Sequence, residues 1–128
     1  MKLLTHNMLE SQVKTCPEEK RFPLKIVATE IEETEIEFQR SFIINIIPKI
    51  DWGVLRGALE EMGLSEKYEI GSKVPENYEE DETFLQLAHH ILLEIEIITG
   101  KFVCRGTGRE FPIENKIANM LLTSEELN

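Results

Sequence analysis

The chain has 128 residues, of which 41% are hydrophobic and 30% are charged, and its formal net charge is −10 at pH 7. This length suits one domain, or one small domain that carries a sub-domain. The 14 basic residues are scattered among 24 acidic ones, and without a basic stripe direct nucleic-acid binding is disfavoured. No apolar run approaches the ~20 residues of a membrane span, and no signal peptide opens the sequence. We therefore expect a soluble, intracellular protein.

The first 38 residues have the pattern of strand and loop. The segment 22–28 is rich in strand-forming residues. Thr34, Ile36 and Phe38 alternate with Glu35 and Glu37, which is the period of a half-buried strand. Both segments are therefore predicted as strands.

The pattern becomes helical near residue 39. Apolar residues at helical spacing predict a helix over 42–47 that stops at Pro48, and Asp51 is a good N-cap for the next helix. Gly63 stands where a left-handed C-cap belongs. Residues 64–78 have no clear period and are predicted as a loop. An apolar seam from Phe84 to Ile98 then predicts the longest helix, which Gly100 would end.

The end of the chain returns to strand character. Segments 102–104 and 110–113 flank the turn-rich residues 105–108, and 117–122 is a further apolar strand. The acidic tail from Ser124 is expected to fray. The prediction is an α+β fold in which residues 1–38 and 100–124 form one β domain and residues 39–99 form a helical insertion.

Cys16 and Cys104 are the only cysteines, and they lie in these two end segments. A hydroxyl residue lies near each of them, Ser11 in one segment and Thr107 in the other, so the two segments resemble halves of a zinc knuckle with an incomplete ligand set. Residual metal ligation, with help from His6 or a carboxylate, is one interpretation. Two reduced thiols packed as small hydrophobic side chains are the interpretation we favour.

His89 and His90 are the other residues with chemical potential. Adjacent helical side chains point about 100° apart, so the two histidines cannot share a metal. Glu94 lies four residues after His90, but a lone His/Glu pair is a weak signal. No nucleophile motif, phosphate loop or dinucleotide fingerprint is present. A small enzyme that uses these histidines and acidic residues is therefore the least favoured hypothesis for the function, behind the interaction subunit and the metal- or thiol-binding protein considered below.

Four segments together resemble a known family: 1–9, 22–24, 37–52 and 104–122. They are similar to the multifunctional methyltransferase subunits of eukaryotes and archaea, which are small zinc-finger-like activator subunits of tRNA, rRNA and translation release factor methyltransferases. The resemblance covers nearly the whole chain, and the ending 117–122 looks like the family's I-P-N-L-L-L strand. Lys116 and Ala118 replace the family's usual glycine and proline there.

The resemblance implies a non-catalytic protein. Members form one-to-one heterodimers with class I methyltransferase catalytic subunits, which modify a glutamine of the release factor, tRNA bases and ribosomal RNA. The partner binds S-adenosylmethionine, and the small subunit makes it soluble and stable. The implied location is the cytoplasm, with the nucleus as a second compartment. No membrane and no direct nucleic-acid contact are expected.

The resemblance also implies where a zinc site would be. The family's four zinc cysteines correspond to positions 11, 16, 104 and 107, and here Ser11 and Thr107 replace two of them. We therefore predict that zinc is lost and that the chain carries no cofactor. The alternative is a free-standing metal- or thiol-binding protein that uses Cys16 and Cys104.

The expected partner surface follows from the last apolar segment, which is too apolar for a solvated edge strand. Burial of the same segment under the helical insertion is the alternative. The predicted partner-binding residues are Thr5, His6, Asn7, Phe42, Phe111, Pro112, Ile113, Ile117, Ala118, Asn119, Met120 and Leu121.

Overall fold

A computed structural model describes residues 1–123, so the predicted fraying of the tail from Ser124 lies outside the described residues. The chain forms one antiparallel sheet with the strand order β1-β2-β3-β4. The strands are β1 (Lys25–Glu33), β2 (Ile95–Val103), β3 (Glu110–Glu114) and β4 (Ile117–Ala118). The α-helices are α1 (Leu3–His6), α2 (Arg40–Ile46), α3 (Trp52–Glu61) and α4 (Glu82–His89). The predicted α+β class is confirmed.

Both ends of the chain meet in the sheet. β1 comes from the first part of the chain and pairs with β2, placing Ile26 opposite Phe102. β3 pairs on the other side of β2 and places Phe111 opposite Phe102. Both phenylalanines are fully buried. Helix α3 packs along β1, where the Ile26 N–H donates to Glu61 Oε1 over 3.1 Å.

The helix boundaries in the insertion follow local capping chemistry. Asp51 accepts a hydrogen bond from the Val54 N–H (3.1 Å) at the start of α3, as an N-cap residue should. Gly63 has a φ of 73° just after that helix, which is the left-handed C-cap conformation. Pro48 lies in the 3₁₀ turn Ile47–Lys49 that follows α2. These three predictions are confirmed.

The predicted long helix up to Ile98 is wrong. Helix α4 ends at His89, a π-helical turn covers His90–Glu94, and β2 begins at Ile95. Ile95 and Ile97 are fully buried with Glu96 between them, which is a strand period hidden in an apolar run that also fits a helix. Residues 95–99, predicted as insertion, therefore pair in the sheet.

Three smaller predictions also differ from the structure. Residues 3–6, predicted as strand or loop, form helix α1. The predicted strand at 34–38 is absent. β1 ends at Glu33, and the backbone N–H and carbonyl of Ile36 bond to the side chains of Glu94 and His89 instead of to another strand. The predicted strand 117–122 is regular only at Ile117–Ala118, because beyond the Asn119 N–H, which still bonds to the Pro112 carbonyl, side-chain hydrogen bonds hold Leu121. No helix within residues 1–123 is long and apolar enough to cross a membrane.

Candidate protein-binding surface

An apolar segment lies exposed at the edge of the sheet. β4 is an edge strand, and its Ile117 is 71% exposed, while Leu121 beyond it is 79% exposed. Phe42 on α2 and Met8 after α1 are exposed as well. Exposed apolar side chains next to the edge of a sheet are typical of surfaces where another protein binds. We call residues 117–121 the edge segment.

Groups on β3 and on the residue just before it hold the edge segment in place. The Asn119 N–H donates to the carbonyl of Pro112 over 2.8 Å. Arg109 donates from Nη2 to the carbonyl of Leu121 over 3.1 Å, and its guanidinium carbon lies 4.8 Å from the centre of the Phe111 ring. Sequence reasoning missed Arg109, because no motif distinguishes it from any other basic residue.

The twelve predicted partner-binding residues divide by exposure. Thr5, Phe42, Pro112, Ile117, Asn119 and Leu121 are exposed, Ala118 and Met120 are half-buried, and His6, Asn7, Phe111 and Ile113 are buried. The buried four lie within the chain's own fold, so any direct contact of their side chains with a partner would require rearrangement. The predicted interface therefore depends on the exposed and half-buried residues.

The two buried polar residues of this set have structural partners. Asn7 donates from Nδ2 to the Asp51 carbonyl (3.0 Å) and accepts from the Asp51 N–H (2.9 Å), which ties the opening segment to the start of α3. His6 Nε2 lies 2.7 Å from the Leu24 carbonyl. Burial lowers the pKa of His6, so its ring is neutral at pH 7 and Nε2 carries the proton donated to Leu24.

The fold brings together the four positions predicted as a former zinc site. Cys104 and Ser11 are fully buried and Cys16 is almost so. The Cys16 thiol donates to the Pro17 carbonyl over 3.4 Å. Burial opposes the ionisation of Cys104, but hydrogen bonding from the side chains of Ser11, Thr107 and Cys16 lowers its pKa to about 7. Burial raises the pKa of Cys16, which remains the protonated donor.

This cluster does not fit a zinc ion. Structural zinc sites take four ligands from thiolates, imidazoles and carboxylates, whereas the cluster offers two thiols and two hydroxyls. Both hydroxyls also serve the backbone, since Ser11 accepts from the Val13 N–H (3.3 Å) and Thr107 accepts from the Arg109 N–H (3.2 Å). Within residues 1–123, no group of three or more His, Cys, Asp or Glu side chains could hold a metal ion.

A second polar cluster surrounds His90, for which the sequence offered only the weak signal of Glu94 four residues later. His90 Nδ1 lies 2.8 Å from Glu94 Oε1, and its Nε2 lies 2.8 Å from Glu33 Oε1. Tyr68 donates its hydroxyl hydrogen to Glu33, and Lys67 Nζ lies 2.9 Å from Glu33 Oε2. A ring with a carboxylate at each nitrogen is satisfied only when both nitrogens carry protons. The cluster therefore links β1, the loop 64–78 and the π-helical turn through a cationic His90.

The stability of the protein should depend on pH through this cluster. Burial opposes protonation of His90, but hydrogen bonds to Glu94 and Glu33 raise its pKa. Hydrogen bonds from Lys67 and Tyr68 lower the pKa of Glu33 to about 2. The His90 contribution is complete below its unfolded pKa near 6.5 and is lost as pH rises through the raised folded value. The Glu33 contribution is complete above about pH 4.5 and is lost as pH falls towards 2.

We therefore expect this contribution to stability to be greatest between about pH 4.5 and 6.5. Urea unfolding at half-unit pH intervals measures it. His90→Gln should remove the decline on the alkaline side, while Lys73→Gln, a change at an exposed loop position, should leave it intact. An alkaline decline that is identical in His90→Gln would contradict the role given to His90.

The geometry thus defines an α+β domain with an exposed apolar edge, which is the form of a protein-interaction subunit. A profile of the family "Trm112p-like protein" matches residues 2–115. The multifunctional methyltransferase subunit TRM112-like protein of Mus musculus is 43% identical over 126 residues, covering 98% of each chain. The TRM112 subunit of Saccharomyces cerevisiae is 32% identical over 130 residues, covering 95% of this chain and 96% of its own.

A solved structure has the same fold. It is the E. cuniculi Mtq2-Trm112 complex, described as responsible for methylation of the eRF1 translation termination factor. The match has a TM-score of 0.53 at 17% identity and covers 94% of this chain and 95% of the other. On the profile and the full-length relatives, the chain belongs to the Trm112p-like family.

Proposed function

We propose that this protein is a non-catalytic subunit that binds and stabilises class I, S-adenosylmethionine-dependent methyltransferases of the translation machinery. The relatives that it matches over nearly their full length are named methyltransferase subunits. A protein of the same fold is part of a complex described as responsible for methylation of a translation termination factor. The single observation that carries the proposal on this chain is the edge segment, whose Ile117 and Leu121 are 71% and 79% exposed.

The physical role does not require chemistry from this chain. A partner that binds only the folded state of a catalytic subunit stabilises that state by mass action. A strand edge flanked by apolar side chains also protects the partner's own sheet edge from aggregation. In this proposal the catalytic subunit supplies the S-adenosylmethionine site, and its substrates are a glutamine of the release factor, tRNA bases and ribosomal RNA. The complexes would work in the cytoplasm, with the nucleus as a second compartment.

Affinity capture of the tagged protein from its own cells, followed by mass spectrometry, tests this proposal. We expect one or more class I methyltransferases at near-stoichiometric amounts. Leu121→Asp should lose them, and Ser72→Asp, which adds the same charge at an exposed position in the loop 64–78, should retain them. Capture in which no methyltransferase distinguishes the two variants would refute the proposal.

We also propose that the protein works without zinc. Hydroxyl groups at Ser11 and Thr107 cannot replace thiolate ligands, and the backbone hydrogen bonds that both hydroxyls accept support this proposal. A structural zinc supplies on the order of 10 kcal/mol in small domains, so its removal would lower Tm strongly. Because we propose that this protein binds no zinc, we expect a strong chelator to leave the thermal transition unchanged. A large fall in Tm, together with one zinc per chain by elemental analysis, would contradict this and would favour a metal-binding role.

A further inference from the structure

The fold places two thiols in contact that the proposed function does not use. Cys16 and Cys104 come from opposite ends of the chain and are both buried, and the Cys16 sulfur packs against Gly106, two residues after Cys104. They are the only cysteines in the sequence. Two sulfurs held side by side with no other thiol available are the starting arrangement for an intrachain disulfide.

Packing places the turn after Cys104 directly against Cys16. A Cβ at Gly106 would lie 2.5 Å from the Cys16 sulfur and 3.0 Å from Pro17 Cδ, so the turn after Cys104 presses directly on Cys16. That turn is held by the Cys104 N–H donating to the Arg109 carbonyl and the Gly108 N–H donating to the Cys104 carbonyl, both over 2.8 Å. The Cys16 N–H donates to the Val13 carbonyl over 3.0 Å. The backbone on both sides is therefore held while the turn that carries Cys104 lies against Cys16.

Access to the pair requires only a small opening. Both thiols are buried, but Pro17 beside Cys16 and residues 105, 107 and 108 around Gly106 are at the surface. Separation of the turn 105–108 from Pro17 would admit a molecule as small as hydrogen peroxide without unfolding the sheet. Local openings of surface turns occur at much lower cost than global unfolding.

We propose that Cys16 and Cys104 form an oxidation site at which a hydroperoxide produces an intrachain disulfide between them. The Cys104 thiolate attacks one peroxide oxygen, the O–O bond breaks, and the sulfur becomes a sulfenic acid while water or an alcohol leaves. The Cys16 sulfur then attacks the Cys104 sulfur, the S–O bond breaks, and a second water leaves. The two thiols lose two electrons and two protons, and the peroxide is reduced.

The consequence is a covalent cross-link between the two ends of the fold. It joins the segment before β1 to the turn between β2 and β3, which is the link that a shared metal would otherwise make. Because Cys16 and Cys104 are far apart in sequence, closing that long loop should stabilise the folded state. No residue of the edge segment belongs to this cluster, so the main expected effect of oxidation is on stability.

Limited treatment of the folded protein with hydrogen peroxide, followed by intact mass measurement and non-reducing peptide mapping, tests the proposal. We expect a loss of about 2 Da, one cross-linked peptide pair containing both cysteines, and a Tm increase of roughly 5–10 °C that dithiothreitol reverses. Cys16→Ser should instead gain about 16 Da at Cys104. Gly106→Ala should slow cross-linking at least several-fold, whereas Gly57→Ala, whose Cβ would meet nothing within 4 Å, should not.

Three results would overturn the proposal. One is a native chain that keeps both thiols while the urea-unfolded chain is oxidised. Another is a native chain whose mass rises by added oxygen and shows no loss of two hydrogens. The third is cross-linking between chains rather than within one. Each is read from mass and gel mobility, so none depends on the methyltransferase role.

Discussion

Replacement of Gly100 by alanine is expected to destabilise the protein by about 3 kcal/mol or more. Gly100 has a φ of 155°, and a Cβ there would lie 2.3 Å from the Val27 carbonyl oxygen and 2.9 Å from the Ala28 Cα. Both contacts are with backbone, so no side chain can move aside. The site lies next to the register shift between Ala28 and Glu30, where β1 bulges against β2.

Gly57→Ala is the matched control for this change. Gly57 lies inside α3, and an added Cβ meets nothing within 4 Å. Alanine favours a helix interior over glycine, so this variant should gain about 0.5–1 kcal/mol. Urea unfolding of both variants measures the difference. Equal stability of Gly100→Ala and wild type would mean that the β1–β2 register described here is wrong.

Placement of a charge on the edge segment is expected to reduce methyltransferase binding by about 2–4 kcal/mol, or roughly 30- to 1,000-fold in Kd. Leu121→Asp is the most direct change, because Leu121 is 79% exposed and the isolated chain loses little packing when it is replaced. A carboxylate buried against an apolar partner surface would have no counterion. Titration calorimetry or surface plasmon resonance measures the loss, with Ser72→Asp as the control of equal charge.

Met120→Lys tests the same interface with an added effect. Met120 is half-buried and packs against the core, so a lysine there should weaken both partner binding and, to a smaller extent, the folded chain. Thermal unfolding of the free variant separates the two effects. If both Met120→Lys and Leu121→Asp captured the partner as well as wild type does, the interface would have to lie elsewhere, with the helical insertion as the next candidate.

Local chemistry in the sequence predicted the insertion helices well. The Asp51 cap, the stop at Pro48 and the left-handed Gly63 each depend on one residue and its neighbours. The α+β class followed from the change of period along the chain and agreed with the family resemblance. The meeting of Cys16 and Cys104 followed because both lie in end segments that were expected to pair.

The first part of the central strand β2 was missed for a physical reason. The isoleucines at 91, 95 and 98 lie at helical spacing, while 95 and 97 also fit a strand. The choice depends on tertiary pairing with β1 and on the π-helical turn before β2, neither of which a single sequence displays. The His90 cluster was missed for the same reason, since Glu33 and Tyr68 reach it from distant parts of the chain.

The candidate surface was predicted in outline and not in detail. An apolar final segment pointed to Ile117 and Leu121, which are exposed. The same reasoning could not separate them from Phe111 and Ile113, because the alternation that turns those two inward is fixed by pairing with β2. Arg109 holds the segment through a backbone carbonyl, and such a contact leaves no mark in the sequence.

The most direct test of the central claim is co-expression of this chain with the release-factor glutamine methyltransferase of the same organism. Size-exclusion chromatography with light scattering measures the complex, and transfer of radiolabelled methyl groups to the release factor measures its activity. The account predicts a one-to-one complex that is soluble and active, and a catalytic subunit that alone, or with Leu121→Asp, is insoluble or inactive. A catalytic subunit that is fully soluble and active without this chain, and that forms no complex with it, would contradict the account.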